Sequence, residues 1–349
     1  MIYLVDNRNE TDPHINLAIE EFCLRHVSPT RSYIIAYVNR PSVIVGRHQN
    51  ILQEVDLRFT EQERISVVRR ISGGGAVYHD FGNLNYCFIN TYDRRSMANV
   101  HLTISPVRMA LKELGVSANF NPKNDLFVDG RKISGNAQFS NTKRILVHGT
   151  LLFDSNLDYL KGALNPHSDH ITSVARKSVA SEVTNISPYL KTRLGLRDFR
   201  GRLLETVANL CGGMKTIRLE PNDWQAIKRL SEEKYRTWDW NYAKAPAFNI
   251  HRKGCDAAGQ IGYSIDVKNG RIAAIRFEKE GQRYVGLTKI EDELVGVSFN
   301  RAAIDARLIQ LEPSVFGDKF TVDNLTDLLA AELGHTRKPV LQIPHHDLF

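Results

Sequence analysis

Apolar residues recur at helical spacing in few stretches of this chain and at strand spacing in many more. Leu17, Ala18, Phe22 and Leu24 share one face of a helix predicted over Ile15–His26. Two apolar runs follow, Tyr33–Val38 and Ser42–Val45, and Asn39-Arg40-Pro41 between them reads as a turn. Val67–Arg70 begins a further strand and runs into Gly73-Gly74-Gly75, after which Ala76–His79 and Asn83–Tyr92 read as extended. Ser105 stands where it would cap an amphipathic helix carrying Val107, Ala110, Leu111 and Leu114, stopped by Gly115. Asp129-Gly130 joins Leu126–Val128 to Arg131–Ile133 as a two-residue hairpin, and Arg144–Phe153 is another strand. Strands dominate this half and helices interrupt them irregularly, which predicts a mixed sheet rather than a regular βαβ winding.

From about Leu194 the pattern turns helical, over Leu196–Leu210 and Pro221–Glu233. Thr237–Phe248 is aromatic and irregular. A fresh hairpin then pairs Tyr263–Val267 with Arg271–Phe277 around Asn269-Gly270, and a last capped helix runs from Val322 to Leu333, ended by Gly334. A length of 349 residues favours two domains over one. The natural cut lies at Asn249–Gly254, dividing the chain into residues 1–248 and 249–349. The predicted class is α+β.

Composition narrows the function classes. Apolar residues make up 42% and charged residues 24%, ordinary for a globular protein and too apolar for a disordered one. No run approaches the ~20 apolar residues of a membrane span. The N-terminal MIYLVDNRNETDPH has neither the basic and apolar regions of a secretory signal nor the composition of a transit peptide, so a cytoplasmic protein is expected. Cys23, Cys87, Cys211 and Cys255 lie far apart, without C-x-x-C spacing, and are expected as free thiols rather than disulfide or zinc partners. With 46 Lys+Arg against 39 Asp+Glu the formal charge is +7, which favours acidic partners without choosing among nucleic acid, acidic protein and phosphate. No helix-turn-helix, zinc finger or basic–aromatic pattern argues for nucleic acid.

Three segments carry chemistry. In Arg69-Arg70-Ile71-Ser72-Gly73-Gly74-Gly75-Ala76-Val77-Tyr78-His79, consecutive glycines let the backbone adopt positive φ and turn N–H groups toward a ligand, with arginines upstream as fixed cations. A plain glycine-rich hairpin with surface arginines fits the same letters. In Asn124-Asp125 … Gly130-Arg131-Lys132-Ile133-Ser134-Gly135-Asn136-Ala137, Lys132 points opposite to Arg131 and Ile133; facing a phosphate it would stabilise developing charge, and otherwise it is a solvated strand lysine. His148 lies within an apolar strand, where a hydrogen-bonded core histidine is more common than a catalytic base. None of this matches a Walker A loop, a G-x-G-x-x-G fingerprint or a G-x-S-x-G elbow.

Taken together and in register, RRISGGGAVYHDFGNLN, NDLFVDGRKISGNAQ and HGTLLFD resemble the lipoate–protein ligase A family. NLAIEEF, PSVIVGRHQN and ITSVARKSVASEVTNI are similar to further family segments, and WDWNYAKAPAF to the junction before the accessory domain of two-domain members. The resemblance implies a mixed-sheet catalytic domain related to biotin–protein ligases and class II aminoacyl-tRNA synthetases, followed by a small α/β accessory domain. It implies activation of free lipoate by Mg·ATP to lipoyl-AMP with release of pyrophosphate, then transfer to a lysine of a lipoyl domain. The acceptors it implies are 2-oxo-acid dehydrogenase acyltransferase subunits and the glycine-cleavage carrier protein, with no nucleic acid and no membrane. ATP with Mg2+ and lipoate enter as substrates, and no resident metal or prosthetic group is expected.

Residue by residue, the resemblance assigns Lys132 to the lipoate carboxyl and the α-phosphate, as the catalytic residue. It assigns ATP and adenylate to Arg70, Gly75, Ala76, Val77, Tyr78, Asn124 and Asp125, with Asp125 the candidate for magnesium. It assigns the lipoate pocket to Tyr37, Ser72, Gly75, His79, Ser134, Gly135, Ala137, His148 and Thr150, alongside Lys132. Tyr37 replaces a tryptophan common in relatives, and Val38 an arginine. The alternative is an octanoyl or lipoyl transferase of the same fold; one working covalently needs a cysteine nucleophile, for which Cys87, between Tyr86 and Phe88, is the nearest thiol.

Overall fold

The computed structural model describes residues 1–93, 100–253, 261–317, 320–331 and 333; Cys255, Gly254 and Gly334 lie outside the described residues. The N-terminal half contains β1 (Ile2–Asp6), α1 (Pro13–His26), β2 (Tyr33–Tyr37), β3 (Ser42–Val45), α2 (Leu57–Gln62), β4 (Ser66–Arg69), β5 (Val77–His79) and β6 (Asn83–Thr91). It continues through α3 (Val100–Glu113), β7 (Asn119–Phe120), β8 (Leu126–Val128), β9 (Arg131–Ser134), β10 (Asn136–Ser140) and β11 (Arg144–Leu152). Then come α4 (Leu157–Ala163), β12 (Ile171–Ser173), α5 (Leu196–Leu210), β13 (Met214–Arg218) and α6 (Pro221–Leu230). The rest comprises β14 (Phe248–Arg252), β15 (Ile261–Lys268), β16 (Arg271–Lys279), β17 (Gln282–Arg283), α7 (Thr288–Leu294), α8 (Arg301–Ile309) and α9 (Val322–Leu329).

Six strands form the central sheet in the order β10-β11-β6-β2-β1-β13. Its β10, β11, β6 and β2 pair antiparallel, while β1 runs parallel to both β2 and β13. This is the expected mixed sheet. Two three-stranded sheets, β4-β3-β5 and β7-β8-β9, flank it, and β12-β14-β15-β16-β17 makes an antiparallel sheet of its own. The Asp129-Gly130 and Asn269-Gly270 hairpins form as predicted, all four residues at positive φ as a type I′ turn demands.

Periodicity missed some elements. Strands β1 and β13 are short edge-side partners whose pairing, Ile2 opposite Met214 through Asp6 opposite Arg218, spans more than two hundred positions of chain, so no local signal marks them. Ser105 does not cap α3 but lies inside it. Pro106 has no N–H for the Leu102 carbonyl one turn back, and the Ser105 hydroxyl donates to that carbonyl instead, at 3.2 Å. The last helix ends at Leu329, where the Ala330 N–H bonds back to Thr326. The Pro221 helix gives way at Ser231 to a π-helical turn, and a second π turn, Asp239–Ala243, occupies the aromatic junction.

One apolar cluster joins Val43, Val45, Ile51 and Tyr78 to Ile250, Tyr263, Ile265 and Leu325, so β14–β17 and their helices share a core with the β3 region. A second cluster lies between the central sheet and α3 and α5, and a third beneath α1.

Candidate functional site

Between β4 and β5 the chain crosses over as Arg70–Ala76. Gly74 takes φ +88°, and the loop presses so closely on the end of β3 that a Cβ on Gly46 would stand 2.2 Å from the Gly74 carbonyl oxygen. The N–H groups of Gly73, Gly74 and Gly75 meet no protein acceptor among the described residues. Three adjacent amides left open in a loop with a positive φ make an anion-binding concavity. Arg70 is buried beneath it. Its Nη2 donates to the Gly73 and Gly75 carbonyls, Nη1 to the Ile44 carbonyl (2.9 Å) and Nε to Ser72 Oγ (2.9 Å). Burial lowers this guanidinium to about 10. Arg70 therefore shapes the loop from below. Arg69, fully buried, donates to the carbonyls of Gly46, Gln49 and Asn241, tying the loop's root to the aromatic junction.

Beside this loop a polar chain runs through the apolar interior. Ser72 Oγ lies 2.6 Å from His148 Nε2, and His148 Nδ1 lies 2.7 Å from Glu20 Oε2. Glu20 Oε1 accepts from the Tyr37 hydroxyl at 2.8 Å. With Nδ1–H given to Glu20, His148 Nε2 is the acceptor for Ser72. Cys87 sits opposite His148 in the β6–β11 register and is completely buried. Burial, and then the Glu20 carboxylate, push its thiol well above the ordinary range, the reverse of an activated nucleophile. His79 is placed differently. Asn16 donates to Asn39 Oδ1, so Asn39 Nδ2 donates to His79 Nδ1 at 3.0 Å and the ring proton resides on Nε2. That Nε2–H is buried without a partner. Burial, then the neighbouring Arg70 charge, hold the ring neutral, with its pKa pushed down to about 3.

The lysine corner lies on β8–β10. Lys132 Nζ pairs with Asp125 Oδ2 at 3.0 Å, both side chains largely covered. Asn124, at φ +68°, directs its carbonyl to Asn136 Nδ2 (2.7 Å), while Asn121 Oδ1 accepts the Asp125 N–H (2.9 Å). Gly135 exchanges hydrogen bonds with Thr150 and leaves room for the lysine, since a Cβ there would be 3.2 Å from Lys132 Nζ. Ser134 is buried behind it. Ala137 connects the two halves: it pairs with His148 across the sheet and lies 3.5 Å from where a Gly74 Cβ would be. The sequence-predicted residues thus converge on one side of β10–β11, Val77 and Tyr78 joining through β5. Tyr78, however, packs its side chain into the apolar core and offers the site only backbone.

The segment Ile171–Thr184 covers this region. Ser178 Oγ accepts from the Ala76 N–H (2.9 Å) and bonds to Glu54, whose carboxyl burial raises. Further along, Lys132 N–H donates to the Glu182 carbonyl (2.8 Å) and Thr184 N–H to that of Lys132 (3.0 Å). Glu20, Asn39, Glu54, Asn121, Asn136 and Ser178 were not picked from sequence. For Glu20 a signal existed, because it stands three residues after Leu17 and four before Leu24, a carboxylate inside an otherwise apolar helix stripe.

An open nest of amides, a lysine held by one carboxylate, and an apolar interior threaded by hydrogen bonds suit a phosphoanhydride beside a long acyl chain. For magnesium, Asp125 commits Oδ2 to Lys132, and no group of three His, Cys, Asp or Glu side chains able to hold a metal occurs among the described residues. The donor set does not fit a resident all-protein magnesium cage, whereas a nucleotide brings the ion with phosphate and water ligands of its own.

Residues 12–208 match the model of the lipoyl protein ligase A/B catalytic domain, and residues 245–329 that of the bacterial lipoate protein ligase C-terminus. The lipoate-protein ligase LplJ of Bacillus subtilis is 41% identical over 327 residues, 93% of this chain and 99% of that one. Among solved structures, a bi-partite lipoate protein ligase from Thermoplasma acidophilum, described with its E2 lipoyl domain, is similar at TM-score 0.59 and 23% identity. The match covers 68% of this chain and 95% of that one. A lipoate-protein ligase A crystal structure with bound ATP is similar at TM-score 0.57 and 24% identity, covering 68% and 95%. These two structures establish a shared fold.

Proposed function

This chain belongs to the lipoyl protein ligase A/B catalytic family, and on that footing we propose that it is an ATP-dependent lipoate–protein ligase. The lipoate carboxylate attacks the α-phosphorus of Mg·ATP, the bond to the β-phosphate oxygen breaks, and pyrophosphate leaves with lipoyl-AMP retained. A deprotonated lysine amine of an acceptor lipoyl domain then attacks the carbonyl carbon, and AMP departs as the amide forms.

The single observation that carries this reading is the set of open Gly73–Gly75 amides beside β10, where Ala137 lies 3.5 Å from the place a Cβ on Gly74 would take, with Lys132 on the preceding strand β9. Two anions approach each other in the first step, and Lys132 between them offsets the repulsion, Asp125 keeping the ammonium in place. The glycine amides hold phosphate oxygens. Arg70 keeps those amides oriented, and Asn124 fixes the turn that presents Asp125. The acyl chain lies along Tyr37, Ser72, Ala137 and His148, and the unpartnered His79 Nε2–H meets an acceptor on the bound substrate. Mg2+ arrives with the nucleotide.

We divide the chain into a catalytic part through residue 248 and an accessory part from 249; the second family match, beginning at residue 245, supports this. The edge strand Ile171–Ser173 pairs with Phe248–Ile250, so the covering segment is hydrogen-bonded to the accessory part. No helix among the described residues is long and apolar enough to cross a membrane. The acceptors are lipoyl domains of 2-oxo-acid dehydrogenase acyltransferase subunits and the glycine-cleavage carrier; the pairing of the T. acidophilum ligase with an E2 lipoyl domain supports the former.

The test is mass spectrometry of an apo lipoyl domain incubated with the protein, ATP, magnesium and free lipoate. A gain of one lipoyl mass that depends on ATP, with pyrophosphate released, is expected. Modification that ignores ATP and requires an acyl-carrier donor would make the protein a transferase.

A further inference from the structure

Away from the glycine loop lies an open cleft of about 750 Å3, lined among others by Phe81, Asp154, Pro188, Arg193, Leu194 and Leu196. None of the residues assigned above to ATP or lipoate lines it. Yet it is built by the same segments that carry those residues, each continued a few positions. The chain runs from His79 at the end of β5 to Phe81, from Thr150 on β11 to Phe153 and Asp154 just beyond it, and from Thr184, bonded to Lys132, to Ser187 and Pro188. Two to four residues of extended chain span at most about 7–14 Å. Three independent segments therefore leave the site at one end and converge on this cleft within that distance.

Its chemistry is that of a protein-docking surface. Phe81 is 44% exposed, an unusual position for a phenylalanine beside a polar turn, and Pro188, Leu194 and Leu196 add apolar walls. One cation, Arg193, lines the cleft, and Lys191 and Arg197 stand within four positions of it in the chain. Lys191, Arg193 and Arg197 are exposed and form no ion pair among the described residues. The acid lining the cleft is Asp154, whose Oδ1 accepts from the Ser187 hydroxyl at 3.4 Å, and Asp198 follows Arg197 on the first turn of α5. Apolar lining residues beside an unpaired arginine, with two further exposed cations next to it in the chain, are complementary to an acidic surface carrying an exposed apolar side chain.

Resting on the ligase reading above, we propose that this cleft docks the acceptor domain. That domain is acidic near its modifiable lysine, seats an apolar side chain against Phe81, Pro188 and Leu194, and sets its carboxylates against Arg193, Arg197 and Lys191. From there its lysine passes along Thr184 to the adenylate beside Lys132. The cleft contributes to the second half-reaction only, because the first needs no protein partner.

The experiment uses the full-length protein carrying Phe81→Asp or Arg193→Glu, with an apo lipoyl domain of a 2-oxo-acid dehydrogenase acyltransferase subunit as acceptor. Lipoate-dependent ATP–pyrophosphate exchange should stay at the wild-type rate in both variants, which also reports that they fold. The KM for the acceptor should rise about tenfold in each, the scale of losing one apolar anchor or reversing one rim charge, with kcat changed less. Raising the salt concentration should weaken acceptor binding by the wild type more than by Arg193→Glu. Unchanged acceptor KM in both variants would overturn the proposal. Should Phe81→Asp lose exchange as well, the exposed Arg193→Glu decides alone. Absence of exchange in the wild type would instead overturn the ligase reading, and the acceptor KM values, measured with an acyl-carrier donor, would still decide the cleft.

Discussion

Gly46→Ala tests the link between the glycine loop and catalysis at its tightest point. The added methyl would stand 2.2 Å from the Gly74 carbonyl oxygen and 3.1 Å from its carbon, both backbone atoms that no rotamer change can move. Ordinary contact begins near 3.4 Å, so the loop must retreat by more than 1 Å. Gly46 is not at positive φ, so the new residue itself suffers no backbone strain and the effect is transmitted wholly through the loop. Overpacking of this kind costs about 1–3 kcal/mol of stability, and a 1 Å misplacement of a positioning group costs on the order of 10²-fold in rate. The assay is lipoate-dependent ATP–pyrophosphate exchange alongside thermal unfolding. As a control, Gly201→Ala on α5, where a Cβ meets nothing within 4 Å, should leave exchange intact and stabilise by roughly 0.5–1 kcal/mol. Gly46→Ala exchanging at the wild-type rate would refute the claim that the Gly73–Gly75 amides must be held where they are.

Lys132→Ala should lower exchange by on the order of 10²–10³, while denaturant unfolding changes little, because a partly exposed pair with Asp125 contributes about 0–1 kcal/mol; near-normal lipoyl-AMP formation would remove Lys132 from the mechanism. Replacing all four cysteines with Ala or Ser, in a variant that folds, should preserve ligation, since burial and Glu20 disfavour the Cys87 thiolate; a trapped acyl-thioester on Cys87 would contradict this. His79 is neutral in the fold, and its folded pKa of about 3 lies below the ordinary 6.5. The unfolded chain thus binds the extra proton first, so the contribution is complete above pH 6.5 and is lost as pH falls from there toward 3. Across that window the folded-to-unfolded ratio should drop roughly tenfold per pH unit on this account. His79→Gln should flatten the decline in a urea-midpoint series, and an identical slope in both proteins would assign the acid sensitivity elsewhere.

Much of the site was legible because its residues are contiguous in sequence. Arg70 through His79, Asn124 through Ala137 and His148 through Thr150 each occupy one short stretch, and the glycines and the Asp129-Gly130 turn announce their geometry locally. What could not be read was orientation. Arg70 looked like a phosphate ligand, yet the loop's own carbonyls surround it; Tyr78 looked like pocket lining, yet β5 turns its ring into the core. Lys132 looked like a free cation, and its partner Asp125 was counted as a separate nucleotide ligand. In each case the partner lies across a strand pairing or a loop crossing that no local pattern encodes.

By itself the sequence determined the strand-rich character of the first half, the two type I′ hairpins, the free and buried thiols of Cys23 and Cys87, and the family to which the chain belongs. These follow from local properties: alternation, positive-φ turn residues, and motifs read in order. Only the tertiary structure decided that Ile2–Asp6 pairs with Met214–Arg218 and that Glu20 on α1 orients His148 on β11. It also decided that Ser178 bonds to the glycine loop and that three segments leading from the site meet at one cleft. Those are contacts between residues far apart in the chain. Their formation rests on burying the three apolar clusters together, and that free energy belongs to the whole fold rather than to any segment of it.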